Sequence, residues 1–286
     1  MAQEGSVLAS LVDYLGEFAV QTRFTLSWSI DMKSVQKFLG PWRFPALLSG
    51  VAFLTALTVA LGPSSAVPTK PVKEKEKETF IKDPKLVADQ LKQIALALHN
   101  YHDTYRTFPA AAITDKNGKP LLSWRVAILP FIEEDNLYKE FKLNEPWDSK
   151  HNKALLKKMP KIYLPEGHKT KVPYSTFYRG FVGNGAFFNA TQGTRIADIT
   201  DGTSNTFMVV EAGEAVPWTK PDDLPYDPKK KLPKLGGLCK DGFHALFADG
   251  AVYYLKKKID AAVLHLYITR NDGQPVADIN DLIQKD

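Results

Sequence analysis

Oxygen-bearing side chains crowd two stretches of this chain. Residues 198–206 read DITDGTSNT, where Asp198, Asp201 and Asn205 offer the carboxylate and amide oxygens that suit calcium. An EF-hand would need a longer run of ligands at alternate positions and a closing Glu, and neither is present. The other reading is a turn at Asp201-Gly202 whose Thr203, Ser204 and Asn205 side chains bond their own backbone. Shortly after come Glu211, Glu214, Trp218, Asp222 and Asp223, an acidic segment with one large aromatic. Two carboxylates three residues apart can do acid–base chemistry or hold a cation. The competing reading is a surface loop with a buried Trp. Because function concentrates in loops set on rigid scaffolds, this segment is the first place to look for a site.

Other chemistries find less support. His99 and His102, three residues apart on or beside a helical apolar stripe, permit joint metal binding but equally suit partly buried, hydrogen-bonded positions. The single cysteine, Cys239, cannot close an internal disulfide and argues against zinc sites built on Cys ligands. No Gly-x-Ser-x-Gly elbow, phosphate-binding Gly-x-x-x-x-Gly-Lys loop or Gly-x-Gly-x-x-Gly fingerprint occurs, which speaks against serine hydrolysis, phosphoryl transfer and dinucleotide chemistry. The expectation is therefore a non-catalytic protein without a cofactor, calcium being the one ion the 198–206 loop suggests.

Charge points the same way. The net charge of +5 comes from 37 Lys and Arg against 32 Asp and Glu, and the excess is spread over lysine clusters at 73–77, 153–161, 229–234 and 256–258. Nucleic-acid binding favours Arg and interleaved aromatics on one face, so these lysines read as solvated surface and no nucleic-acid partner is expected. Attraction to an anionic envelope surface stays open.

The N-terminal quarter has the order of an export signal. Residues 46–61 (ALLSGVAFLTALTVAL) are uncharged but shorter than the ~20 residues a spanning helix needs. Lys33, Lys37 and Arg43 precede them, Gly62-Pro63 ends them, and Ser64-Ser65-Ala66 supplies small residues for a signal peptidase. Residues 32–66 are thus expected to be a cleaved signal or an uncleaved membrane anchor, contacting the membrane at least during export. Residues 1–31 are expected to be a mis-called extension before a start at Met32, or disordered, and 67–83 a charged linker rich in Lys and Glu. Residues 84–286 would then form one exported domain, periplasmic, at the cell surface or anchored at the inner membrane.

Within that domain, helices come first. Asp83-Pro84 is a cap followed by a proline at the first helical position. Val87, Leu91, Ile94, Leu98, Tyr101 and Tyr105 then recur at steps of four and three, predicting a helix over 84–105 with one apolar stripe. Asn117-Gly118 predicts a turn, Ser123 a cap for a short helix that Pro130 interrupts, and 133–141 and 149–158 further helices. Strands are expected in TFYRGFV (176–182) and TFMVVEA (206–212), and a hairpin around Asp249-Gly250 between FHALFA and AVYYL. The five-proline stretch 217–233 reads as an irregular surface loop and 259–268 as a last helix. Helices early and antiparallel strands late predict an α+β fold, a long amphipathic helix packed on a small antiparallel sheet.

Several of these stretches, LKQIALALHNYHDTYRTFP (91–109), SWRVAILPFIEEDNLYKEF (123–141), EPWDSKHNKALLKKMP (145–160), DITDGTSNTFMVVEAGEAVPW (198–218) and DGFHALFADGAVYYL (241–255), resemble the bacterial domain-of-unknown-function family 1559. This family is abundant in planctomycetes and is also labelled solute-binding. The resemblance implies a pilin-like design with extra helices and loops, and a pseudopilin-like role as an envelope interaction protein whose partner is a protein or a polymer. The alternative it implies is a binding protein for a solute or divalent cation. The chain departs from the family in lacking a prepilin methylation motif ahead of the long helix. It also departs near the hairpin, where many members carry a His, nine residues, then Asp-Gly: ten residues before Asp249 stands Cys239, and His244 lies closer. The role of that His is not carried over.

Overall fold

A computed structural model describes residues 80–81 and 83–285. The chain divides into two units, Met1–Val72 and Lys73–Asp286, and the described residues belong to the second. The expected extension, the export segment and most of the linker lie outside the described residues.

Helix α1 spans Pro84–Tyr105. The Asp83 carboxylate accepts the Lys85 N–H at 2.9 Å, which satisfies one of the orphan donors of the first turn. Arg106 closes the helix in the left-handed region and donates its N–H to His102 O. The predicted stripe is largely the buried face: Val87, Leu91, Ile94 and Leu98 are buried, but Tyr105 is exposed.

A small hairpin follows, β1 (Ala112–Thr114) with β2 (Pro120–Ser123). The sequence showed only its turn at Asn117-Gly118. Asp115 accepts the N–H groups of Asn117 and Lys119 and so fixes that turn. Short helices α2 (Trp124–Ala127), α3 (Asp135–Glu140) and α4 (Lys150–Ala154) come next. Ser123 and Ser149 cap α2 and α4 with their hydroxyl oxygens. Pro130 falls in a single 3₁₀ turn after α2, and the predicted helix 149–158 tightens to 3₁₀ geometry from Leu155.

The central sheet contains β3 (Ser175–Arg179), β5 (Phe207–Pro217), β7 (Gly242–Phe247) and β8 (Val252–Lys256), all antiparallel and in that spatial order. Two short strands, β4 (Phe181–Val182) and β6 (Leu224–Pro225), pair in parallel beside it. Side chains alternate across the sheet as strand geometry requires. Val209, Leu246 and Tyr178 join the core under α1, while Phe207, Phe243, Ala245 and Phe247 join a second core with helix α5 (Ala261–Ile268). The architecture is mixed helix and sheet, with helices on both faces of an antiparallel sheet.

Two expectations need correction. The strand predicted for 206–212, which already held Glu211, runs on to Pro217, so Glu214 too sits within a strand rather than on a loop beyond it. The stretch 217–233 is not an irregular surface loop throughout. Trp218, Thr219, Leu224 and Tyr226 are buried, and Leu224–Pro225 pairs with β4. Its prolines do not oppose this, because β6 is a two-residue strand beside the main sheet.

Candidate functional site

The sequence-flagged carboxylates do not converge. In the 198–206 loop, Asp198 turns back on Arg195, which donates from both its backbone N–H and its guanidinium. These hydrogen bonds hold the Asp198 carboxyl down at about 2. Asp201 points elsewhere: Oδ2 accepts the Asp272 N–H at 2.7 Å and Oδ1 the Gly273 N–H at 2.9 Å. Asn205 donates to the Asp201 carbonyl. The loop therefore pins the chain after α5, and its two carboxylates serve separate partners.

The 211–223 segment separates in the same way. Glu214 is exposed, whereas Glu211 is wholly buried. Trp218 is a core residue: its ring stacks on Tyr163 and meets Phe141 edge-on, and its Nε1–H donates to Leu156 O at 3.0 Å. Asp222 accepts from Arg179 at 2.7 Å and from Lys220 at 2.6 Å. Asp223 accepts from Arg125 Nη2 and the Gly180 N–H at 3.0 Å, and from Trp124 Nε1 at 3.2 Å. A shallow depression of about 310 Å³ opens beside these two aspartates, walled by Ala111, Val182, Pro221 and Pro225.

His99 and His102 clasp Phe108, with ring centroids at 5.3 and 4.7 Å. Burial, with His102 adding to it, lowers the His99 pKa below its ordinary value. Asp249 and Gly250 turn the β7–β8 hairpin: Asp249 accepts the Ala251 N–H, and Gly250 takes a φ of +90° that a side chain would oppose.

One polar cluster escaped the sequence reading. Strand register sets Tyr178 opposite Glu211 and His244 opposite Tyr254, so a row of polar side chains crosses the sheet on its α1 side. At its centre, Glu211 Oε2 accepts the His244 N–H and lies 3.1 Å from His244 Nδ1. Its Oε1 accepts the N–H groups of Leu238 and Cys239 at 2.6 and 2.8 Å. Cys239 Sγ stands 3.8 Å from His244 Nδ1, and the Tyr254 ring stacks on the imidazole. Glu211, Cys239 and His244 are all buried, and their ligating atoms lie within 4.8 Å of one another. Burial and the neighbouring Glu211 carboxylate push the Cys239 thiol pKa well up. Among the described residues this is the one grouping of three or more His, Cys, Asp or Glu side chains close enough to share an ion.

Two signals for it were present in the sequence. A lone Glu stands inside the apolar run FMVVEA, and the Asp-Gly turn fixes the hairpin register that sets His244 opposite Tyr254, while the pairing of β5 with β7 brings His244 beside Glu211. Nothing local marks Cys239, which reaches the cluster through the loop between β6 and β7.

A family model described as Protein of unknown function (DUF1559) matches residues 88–177 and 167–231, about half of the 286 residues. The chain belongs to this family. The DUF1559 match takes in α1 from residue 88 on, the short helices, β3, β5 and Glu211, and stops before Cys239 and His244. Comparison with curated proteins and with solved structures gave no match.

Proposed function

We propose that this DUF1559 protein is a non-catalytic, pseudopilin-like protein that works outside the cytoplasm by binding an envelope protein or polymer through its surface. The observation that carries this reading is the fate of its carboxylates. Asp201, Glu211 and Asp222 spend both carboxylate oxygens on internal donors, and Asp223 gives Oδ1 to Arg125, Trp124 and Gly180, so they serve the fold before any substrate. A catalytic site would need convergent polar groups facing a cavity. The exposed apolar residues Leu86 and Leu96 on α1, 47% and 63% exposed, supply contact surface instead. A long helix lying on an antiparallel sheet is the body plan this role requires, and the signal-like 32–66 segment supports export. The test is a fusion of alkaline phosphatase to Asp286 in a bacterial host, paired with a melting screen of the purified chain. An active fusion and no melting shift with solutes or calcium support the proposal; an inactive fusion contradicts it.

A second reading, a binding protein for a small solute, draws on one observation. The depression beside Asp222 and Asp223 has apolar walls and two acidic residues at its margin, at the lower end of the ~300–1,000 Å³ range of ligand sites. A melting shift with one solute, lost in Asp222→Ala, would favour it.

A further inference from the structure

The Glu211–Cys239–His244 cluster combines a carboxylate, a thiol and an imidazole on rigid supports in the interior. We propose that it is a zinc site, with Glu211 Oε2, Cys239 Sγ and His244 Nδ1 as the protein ligands.

The distances suit an ion. Zinc takes oxygen and nitrogen at about 2.0–2.2 Å and sulfur at about 2.3 Å, so neighbouring ligand atoms of a tetrahedral site stand roughly 3.3–3.8 Å apart. Here Oε2 to Nδ1 is 3.1 Å and Sγ to Nδ1 is 3.8 Å, with no pair of the three beyond 4.8 Å. The supports are also right. Glu211 and His244 stand on neighbouring central strands. The Leu238 and Cys239 N–H groups hold Glu211 Oε1, which leaves Oε2 turned toward the imidazole and the thiol. Such outer partners fix ligand orientation in metal sites. The stacked Tyr254 ring holds the plane of His244.

The donor set chooses the ion. A thiolate beside an imidazole favours zinc over magnesium or calcium, which prefer all-oxygen shells. Charge argues for it too, since burying a carboxylate without a counter-charge is costly. A divalent ion with one carboxylate and one thiolate makes a neutral unit. On binding, the Cys239 proton leaves to solvent, the imidazole holds its proton at Nε2 so that Nδ1 can coordinate, and three coordinate bonds form. One position of a tetrahedral ion stays for a further ligand. Asp198, Asp201, Asp222 and Asp223 take no part, so of the residues that the sequence singled out in its two acidic stretches only Glu211 belongs to this site.

The test begins with the full chain purified without chelator. Elemental analysis should find about one zinc per chain. After the metal is stripped, cobalt should restore one equivalent of binding with thiolate-to-cobalt charge-transfer absorption. That absorption should vanish in Cys239→Ala. His244→Gln should weaken binding by more than the roughly 10–100-fold that loss of an outer partner costs. Should either variant fail to fold, the unmodified chain still decides: only trace zinc, with no charge-transfer band from folded protein in excess cobalt, overturns the proposal.

Discussion

Arg125 Nη2 and Asp223 Oδ1 meet at 3.0 Å across 98 residues of sequence, with side chains 0% and 2% exposed. The pair ties α2 to the segment that follows β5. Arg125 also donates to the Tyr178 carbonyl, and Asp223 also accepts from Trp124 and Gly180, so one joint links the helical half to the sheet. Removing one member of such a pair leaves a buried charge without a partner. Asp223→Ala is expected to cost about 3–5 kcal/mol. Urea unfolding of variant and parent measures it; a loss under about 1 kcal/mol, the range of exposed pairs, would contradict this role.

Trp218 makes the second joint between the halves. Its ring lies against Tyr163 and Phe141, and its N–H reaches Leu156 O. Trp218→Ala should destabilise by about 3–5 kcal/mol through the cavity it leaves. Trp218→Phe should cost less. If Trp218 were instead a ligand-facing residue, both variants would melt close to the parent.

How much of this was legible in sequence divides along one line. Helix α1 and the hairpin at Asp249-Gly250 announced themselves because their signals are local: a cap, a period, a turn dipeptide. What α1 packs against, and which acidic residues are buried, depend on partners far along the chain. Glu211 and Glu214 look alike in sequence, yet one is buried against Leu238, Cys239 and His244 while the other faces solvent. Asp223 reads as a loop acid until Arg125, 98 residues earlier, is placed beside it. The hairpin β1–β2 was missed because its strands are only three and four residues long, too short to show a period.

At Gly237 the loop carrying Cys239 runs tight against the sheet. A Cβ there would lie 2.4 Å from Phe177 Cε1 and 2.7 Å from the Ala212 carbonyl oxygen. The carbonyl is backbone in β5 and cannot swing away. Gly237→Ala should therefore cost about 1–3 kcal/mol as an overpacked site. It should also loosen the loop, seen as faster amide exchange at Leu238 and Cys239. Unchanged exchange at those two amides would contradict the close approach.

His99 predicts a pH dependence. Its ordinary value of 6.5 is lowered in the folded protein, first by burial and then by His102, while the Ala248 carbonyl, Asp103 and Asp249 pull the other way. The unfolded chain therefore binds the proton more readily. The stability linked to His99 is fully present above pH about 6.5 and is lost as pH falls toward the lowered folded value. The melting temperature should fall over that window, and His99→Gln should flatten part of the fall. His168, also lowered by burial, accounts for a further share. A parent and a His99→Gln variant with parallel profiles would contradict the assignment.

The most direct test of a surface-acting envelope protein is co-sedimentation of the purified chain with isolated cell envelopes and with stripped sacculi. The account predicts saturable pelleting with one of the two, weakened in a Leu86→Lys/Leu96→Lys variant that melts like the parent. No saturable pelleting with either, alongside a melting shift produced by a small solute, would contradict it.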